Sequence, residues 1–284
     1  MSLLNNGLIA VLITCHNRKD KTLECLEFLF QATLPQGLSI EIFLVDDGSV
    51  DGTSDLVNQK FPKVKIIKGN GSLYWNQGMR LAWKTALQEK KFDYYVWLND
   101  DTIIDNDAFK QLFNRLIESG QTSIIVGACR DKLGENKFSY GLKNNKKTIL
   151  PNERLVRGNI MNGNLVLIPS KICNKIGILS QNYTHAYGDH DYGLRAIENG
   201  FYIYTTKKFI ATCSLHEKPP AWCDPNVNLI DRLKSFKSPL GLNIREYLYY
   251  VKRFERDNIY LAAIKALLKC LHPRIYYRIS KKKG

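Results

Sequence analysis

Tyr94-Tyr95-Val96-Trp97-Leu98-Asn99-Asp100-Asp101 is the stretch that decides the fold. Five apolar residues of strand character run into an amide and two acids. The acids therefore sit where a buried strand ends and a loop begins. In an open α/β sheet that is where ligands bind. Adjacent carboxylates repel unless a cation or hydrogen-bond donors offset their charge. Oxygen ligands of this kind suit Mg2+ or Mn2+ carrying a diphosphate. A turn with its acids facing water is the plainer alternative for an isolated Asn-Asp-Asp.

Upstream, residues 8–14 form an apolar run that ends in Cys15-His16-Asn17-Arg18. Residues 19–33 then show helical spacing through Leu23, Leu26 and Phe30. Residues 40–45 read as a second strand, ending in Asp46-Asp47-Gly48-Ser49, and Asp51-Gly52-Thr53-Ser54 leads into another helical segment. Strand, helix, strand predicts a right-handed βαβ unit of a mostly parallel sheet. Asp47 could accept from a base N–H or a ribose hydroxyl, and His16 could stack on a base. An Asx-type turn and a surface histidine are the alternatives.

Downstream lies Tyr187-Gly188-Asp189-His190-Asp191-Tyr192-Gly193-Leu194-Arg195-Ala196, followed by the helix stop Asn199-Gly200 and the strand-like 201–204 and 209–213. An acid at the start of a helix lies near amide donors that keep it ionised and fixed in direction. Asp189 or Asp191 could be an ordinary N-cap, and a cap can also orient a catalytic carboxylate.

Together these segments resemble the family 2 glycosyltransferases. The matching pieces are Ile13-Thr14-Cys15-His16-Asn17-Arg18, Val45-Asp46-Asp47-Gly48-Ser49 with Asp51-Gly52-Thr53, Leu98-Asn99-Asp100-Asp101, and Gly188 through Ala196. In order and spacing they run from residue 8 to about 216. The resemblance implies a GT-A fold, a Rossmann-like mostly parallel sheet flanked by helices. It also implies inverting transfer of a sugar from a nucleotide-sugar to a glycan or lipid-linked acceptor hydroxyl. By the same resemblance Thr14, His16 and Asp47 line the nucleobase pocket, and Asp100 lies near the ribose and diphosphate. Asp101 falls where the ligand to Mg2+ or Mn2+ is expected, and His216 where a late histidine reaches the diphosphate or metal. Asp189 falls on the second acid of the family's Glu-Asp pair, the usual base. Gly188 replaces the first acid, which leaves Asp191 as the alternative carboxylate. Residues 69–80 resemble the segment that lines the donor pocket, so Trp75 and Asn76 are expected to meet the nucleotide-sugar. Residues 64–67 before it read as a strand and 79–87 after it as a helix.

Composition is consistent with one substantial core. At 284 residues, 44% hydrophobic and 24% charged, the chain is ordinary for a globular protein. Seven cysteines with no CxxC pair read as reduced, buried thiols of a cytosolic protein. No signal peptide is evident at residues 1–10, and no apolar run approaches the ~20 residues of a membrane span. The Gly69-x-Gly71 piece lacks the third glycine of a dinucleotide fingerprint. Residues 157–164 read as a Gly-Asn turn or as part of the acceptor side. Two other functions compete with transfer. A sugar-1-phosphate nucleotidyltransferase would want a Gly-rich loop where Cys15-His16-Asn17-Arg18 stands. A non-catalytic nucleotide-sugar-binding protein would not need both Asp101 and Asp189.

The charge is uneven. Residues 226–284 hold 14 Lys+Arg against 4 Asp+Glu, so they contribute +10 of the chain's +14. Ile244, Tyr247, Leu248, Val251 and Phe254 recur at helical spacing, as do Leu261, Ile264, Leu267, Leu268 and Leu271. The chain therefore divides into a nucleotide-sugar-binding catalytic domain, 1–225, and a basic amphipathic helical region, 226–284. Basic helices with interleaved aromatics suit an anionic membrane surface, here the inner face of the cell membrane. A helical appendage with merely solvated cations is the alternative. No nucleic-acid module is visible, so nucleic acid is not an expected partner.

Overall fold

The computed structural model describes residues 6–132, 137–215, 218–255 and 258–275. They form two compact units, Met1–Gln181 with Gly188–Leu215, and Asn182–Tyr187 with His216–Gly284. The boundary expected after residue 225 thus falls inside the second unit.

The first unit runs β1 (Gly7–Cys15), α1 (Lys19–Gln31), β2 (Leu38–Asp46), α2 (Thr53–Lys60), β3 (Val64–Lys68), α3 (Tyr74–Glu89) and β4 (Tyr94–Leu98). It continues through β5 (Ile103–Ile104), α4 (Ala108–Glu118), β6 (Ser123–Arg130), β7 (Phe138–Tyr140), β8 (Leu142–Asn144) and β9 (Lys147–Thr148). It closes with β10 (Ile160–Met161), β11 (Leu165–Pro169), α5 (Ser170–Ile176), α6 (Gly188–Glu198) and β12 (Tyr202–Thr212). The main sheet has nine strands in the order β3-β2-β1-β4-β11-β6-β12-β5, with β7 beside β6. Strands β1, β2, β3, β4, β6 and β12 point one way, and β11, β5 and β7 run against them. The expected mostly parallel sheet is therefore present.

The apolar runs follow from burial on both faces. Along β1, Ile9, Val11 and Ile13 join one core, which α1 and α4 cover with Leu26, Leu29, Phe109 and Leu112. Ala10 and Leu12 join the other, covered by Met79, Ala82 and Trp83 of α3 and by Tyr192 of α6. There Trp97 of β4 meets Trp83 at 5.6 Å and Tyr192 at 5.2 Å between ring centroids. These edge contacts seat α6 on the strand that ends in Asp100 and Asp101.

Two elements differ from the sequence expectation. α3 starts at Tyr74, not at 79, so Trp75 and Asn76 lie in its first turn. The strands expected at 201–204 and 209–213 are one strand, β12, with register shifts between Thr205 and Phe209 and between Phe209 and Ala211. The irregularity hides a continuous strand behind the lysines at 207 and 208.

The second unit holds a 3₁₀ turn (Ala221–Cys223), α7 (Leu229–Lys237), α8 (Ile244–Tyr250) continuing as a π turn (Val251–Glu255), and α9 (Ile259–Leu271). Its core gathers Trp222, Cys223, Phe236, Leu242, Ala266 and Cys270. Thr184 ties the 182–187 segment to α8, its backbone N–H donating to Glu246 Oε1 at 3.0 Å.

A close approach fixes α3 over β1. A Cβ on Gly78 would lie 2.2 Å from Thr14 Oγ1 and 2.9 Å from Thr14 Cβ. Gly78→Ala is expected to cost about 1–3 kcal/mol by overpacking, and adding Thr14→Ala to recover part of it. Urea unfolding of the single and double variants checks both.

Candidate active site

The sheet brings the carboxyl ends of β1, β2 and β4 to one edge, where the starts of α1, α2 and α3 also arrive. The first turns of those helices leave amides without intrahelical acceptors. The turn after β2 supplies them. Asp47 Oδ1 accepts from the Gly71 N–H at 2.8 Å, and its Oδ2 accepts from Leu73 and Tyr74 at 2.8 and 3.0 Å. Asp47 thus caps α3 from a distant strand, which lets that helix begin at Tyr74 despite its φ of +54°. Asp51 accepts from the first amide of α1, Lys19, at 3.0 Å and from the first amide of α2, Thr53, at 3.1 Å. The Thr53 hydroxyl, with the Lys19 and Thr53 amides, holds its carboxyl below the usual range against the opposing effect of burial. Asp46 is buried, which pushes its carboxyl up, but hydrogen bonds from Ser49 and Ser54 outweigh that and leave it lowered. His16 completes the edge. Its Nδ1 lies 2.5 Å from the Asp47 carbonyl oxygen, which can only accept, so Nδ1 carries the proton and Nε2 accepts from Asn17 at 3.0 Å.

Past β4, the Arg18 guanidinium reaches both acids. It donates to Asp100 Oδ1 at 3.0 Å and also to Asp101 Oδ2. Burial pushes Asp100 up to about 7, Arg18 opposes that, and the neighbouring Asp101 adds to it. The Asp101 side chain is 17% exposed, against 5% for Asp100. Behind Asp101 stands the thiol of Cys213, 3.7 Å from its Oδ1. Burial pushes that thiol up to about 12, so it stays protonated and donates.

A run of hydrogen bonds leads from this pair to α6. Asn164 Nδ2 reaches Cys213 Sγ at 3.4 Å, and the Asn164 carbonyl accepts from the Asn99 N–H at 2.9 Å. Trp75 Nε1 donates to Asn99 Oδ1 at 2.7 Å. A Cβ on Gly163 would lie 2.3 Å from the Trp75 indole. The Gly163 N–H in turn donates to Asp189 Oδ2 at 3.0 Å, while Asp189 Oδ1 accepts from His190 at 2.8 Å. The Asp189 carboxylate is held from both oxygens by amides and stays half-buried.

Asp191 has a different setting. It is 1% exposed and pairs with Arg195 Nε at 2.7 Å, one turn on. Arg195 also donates to the carbonyls of Ile176 and Ile178 at 2.7 and 3.0 Å. This network holds the chain before α6. Asn76 is likewise fully buried, with its amide donating to the Ser180 carbonyl at 2.8 Å. A Cβ on Gly188 would lie 1.8 Å from Asn76 Oδ1, so Asn76 supports the start of α6.

Of the residues expected from the sequence, Asp100, Asp101, Trp75 and Asp189 thus belong to one connected set. Thr14, His16 and Asp47 border it at the ends of β1 and β2. His216 lies outside the described residues. Arg18, Gly163, Asn164 and Cys213 join the set without having been singled out. Arg18 and Gly163-Asn164 stood inside quoted segments, but nothing local tells which distant acids they meet. Among the described residues no three His, Cys, Asp or Glu side chains gather to cage a metal. The donor set is two adjacent carboxylates at a strand end. It fits Mg2+ or Mn2+, which take one or two carboxylates and complete their shell with water and substrate phosphates.

Removing Arg18 leaves two adjacent carboxylates without their counter-charge. Arg18→Met is expected to destabilise the fold by about 1–3 kcal/mol at pH 8, where Asp100 has lost its proton. Below pH 7 the raised Asp100 holds a proton and the repulsion fades, so the penalty should shrink at pH 5. Urea unfolding at the two pH values checks the sign.

The model for glycosyl transferase family 2 matches residues 10–173, which carry β1 through α5 and the Asp100–Asp101 pair. The poly(ribitol-phosphate) beta-glucosyltransferase of Bacillus spizizenii is 28% identical over 122 residues, 42% of this chain and 18% of that protein. The chain spans 45% or less of the length of the curated relatives it matches. A crystal structure of S. aureus TarS superposes with a TM-score of 0.58 at 15% identity, covering 94% of this chain and 82% of that one. A mannosyltransferase from Pyrobaculum calidifontis, in complex with GDP-Man and Mn2+, gives 0.59 at 12% identity over 95% and 74%. The fold is GT-A, as the motifs implied, and the chain belongs to glycosyl transferase family 2.

Proposed function

We propose that this chain transfers a sugar from a nucleoside-diphosphate sugar to an acceptor hydroxyl, with inversion, in the assembly of a bacterial cell-surface polysaccharide. The observation that carries the reading is the Asp189 carboxylate. It is fixed by the amides of Gly163 and His190, half-open to solvent, and joined through Asn164 and Asn99 to the Asp100–Asp101 turn. Asp191, spent on Arg195, is the weaker candidate for the base.

In this reading Asp189 takes the proton of the acceptor hydroxyl as its oxygen attacks the anomeric carbon from the face opposite the diphosphate. One base and no enzyme nucleophile give one displacement and an inverted centre. The nucleotide lies across the ends of β1, β2 and β4, with its base by Thr14 and His16. Asp47 spends three of its roughly four acceptor positions on the 71–74 amides, leaving one for a base N–H or a ribose hydroxyl. Trp75 borders the donor sugar, and Asp100 the ribose and diphosphate. Asp101 would hold Mg2+ or Mn2+, as the GDP-Man and Mn2+ complex of the P. calidifontis mannosyltransferase suggests. When bound, that ion neutralises charge on the departing diphosphate. The acceptor is a glycan or a lipid-linked acceptor; the Bacillus relative is named for another hydroxyl-bearing polymer, poly(ribitol-phosphate).

Asp189→Asn keeps size and loses the proton acceptor. It should retain nucleoside-diphosphate binding and lower turnover about 10²–10⁴-fold. Asp191→Asn should instead lower the melting temperature, because it breaks the buried pair with Arg195. Product release from a panel of nucleotide-sugars, with calorimetry beside it, checks both. A fully active Asp189→Asn variant would contradict the assignment.

A further inference from the structure

α9 is assembled the wrong way round for a helix that only closes a core. Its buried positions are Ala262, Ala266 and Cys270, spaced i, i+4, i+8, and the last two join the core of Trp222 and Phe236. Its large apolar side chains point the other way. Tyr260 is 75% exposed, Leu261 52%, Ile264 52%, Leu267 42% and Leu268 53%. These five also recur at i+3 and i+4, so they form a second stripe opposite the small one. Large apolar residues gathered on one exposed face mark an interaction surface.

We propose that this outer stripe of α9 is a membrane-docking face, lying in the plane of an anionic bilayer surface. Length excludes a span: 13 residues rise only about 20 Å, against the ~30 Å of a hydrocarbon core. Among the described residues no helix is long and apolar enough to cross. Charge selects the partner. The stripe belongs to the segment with 14 Lys+Arg and 4 Asp+Glu, which carries +10 of the chain's +14. Lys265 on the same helix is exposed. A second copy docking stripe to stripe would bring two such charges together. An anionic surface attracts the same charge and accepts the apolar stripe at its headgroup boundary. The sequence pointed to the whole basic region 226–284, of which residues 256–257 and 276–284 lie outside the described residues. The stripe on α9 gives the docking an apolar component of its own. No residue of the transfer site takes part.

Flotation of the full chain with vesicles tests this, using phosphatidylglycerol–phosphatidylcholine mixtures beside pure phosphatidylcholine. The expected result is flotation with the anionic vesicles, weakened by high salt, and little with the neutral ones. Leu261→Gln/Ile264→Gln/Leu268→Gln should reduce the bound fraction at least tenfold while melting temperature and nucleoside-diphosphate binding stay unchanged. In an Ile264→Trp variant, nitroxide lipids labelled near the headgroup should quench the added emission. Three results would each overturn the proposal: no flotation of the native chain, undiminished flotation of the triple variant, or no quenching at position 264. So would a native dimer that the triple variant turns into a monomer without any vesicle binding.

Discussion

Everything at the active edge depends on one cluster of charge-assisted hydrogen bonds, the acids of the β2 turn on the first amides of three helices. A parallel sheet creates the need. It delivers every following helix with its positive end at the same edge, so unsatisfied N–H groups accumulate there. Asp47 and Asp51 answer it from one turn, with Asp51 serving α1 and α2 and Asp47 serving α3. Residues that are far apart in sequence are thereby held in a common frame. The same positive helix ends suit the anionic diphosphate of a donor.

Charge is then divided among the remaining acids by burial. Asp100 and Asp191 are nearly inaccessible, and each carries an arginine, Arg18 or Arg195. A buried carboxylate stripped of its partner is costly, so these pairs fix local structure. Asp101 and Asp189 are the more open ones: Asp101 shares Arg18 with Asp100 and has the Cys213 thiol behind it, while Asp189 is held by the Gly163 and His190 amides. Neutral donors orient a carboxylate without cancelling its charge. That leaves Asp189 oriented to accept a proton, across the Asn99–Asn164 contact from Asp101, whose charge meets the Arg18 guanidinium it shares with Asp100.

Much of this was legible in the sequence, because the core strands are nearly pure in character. Residues 94–98 were readable as β4, bounded by the turn, and β1, β2 and β3 differed from their expected bounds by a residue or two. What was hidden is non-local. The start of α3 depends on Asp47, so the helical spacing around Met79 could not show it. β12 reads as two strands because its irregular stretch carries Lys207 and Lys208 on the outside. Arg18 looked like the end of a loop motif, and its role appears only when the ends of β1 and β4 are adjacent. Cys213 counted among buried thiols, and its contact with Asp101 needs β12 folded across the sheet. In α9 the periodicity was plain, but not which stripe faced inward. Small residues won that place because Trp222 and Phe236 already fill the space there.

The central claim is that the turn after β4 is the cation and diphosphate site and that Asp46, Asp47 and Asp51 hold helix amides and hydroxyls rather than the cation. Crystals grown with a nucleoside diphosphate and Mn2+, with data collected at the manganese edge, test it most directly. The account predicts an anomalous peak within coordination distance of the Asp101 carboxylate, with the β2-turn acids still on their helix amides. A peak on Asp46, Asp47 or Asp51, or one on Asp189 with Asp101 left to Arg18 alone, would contradict it.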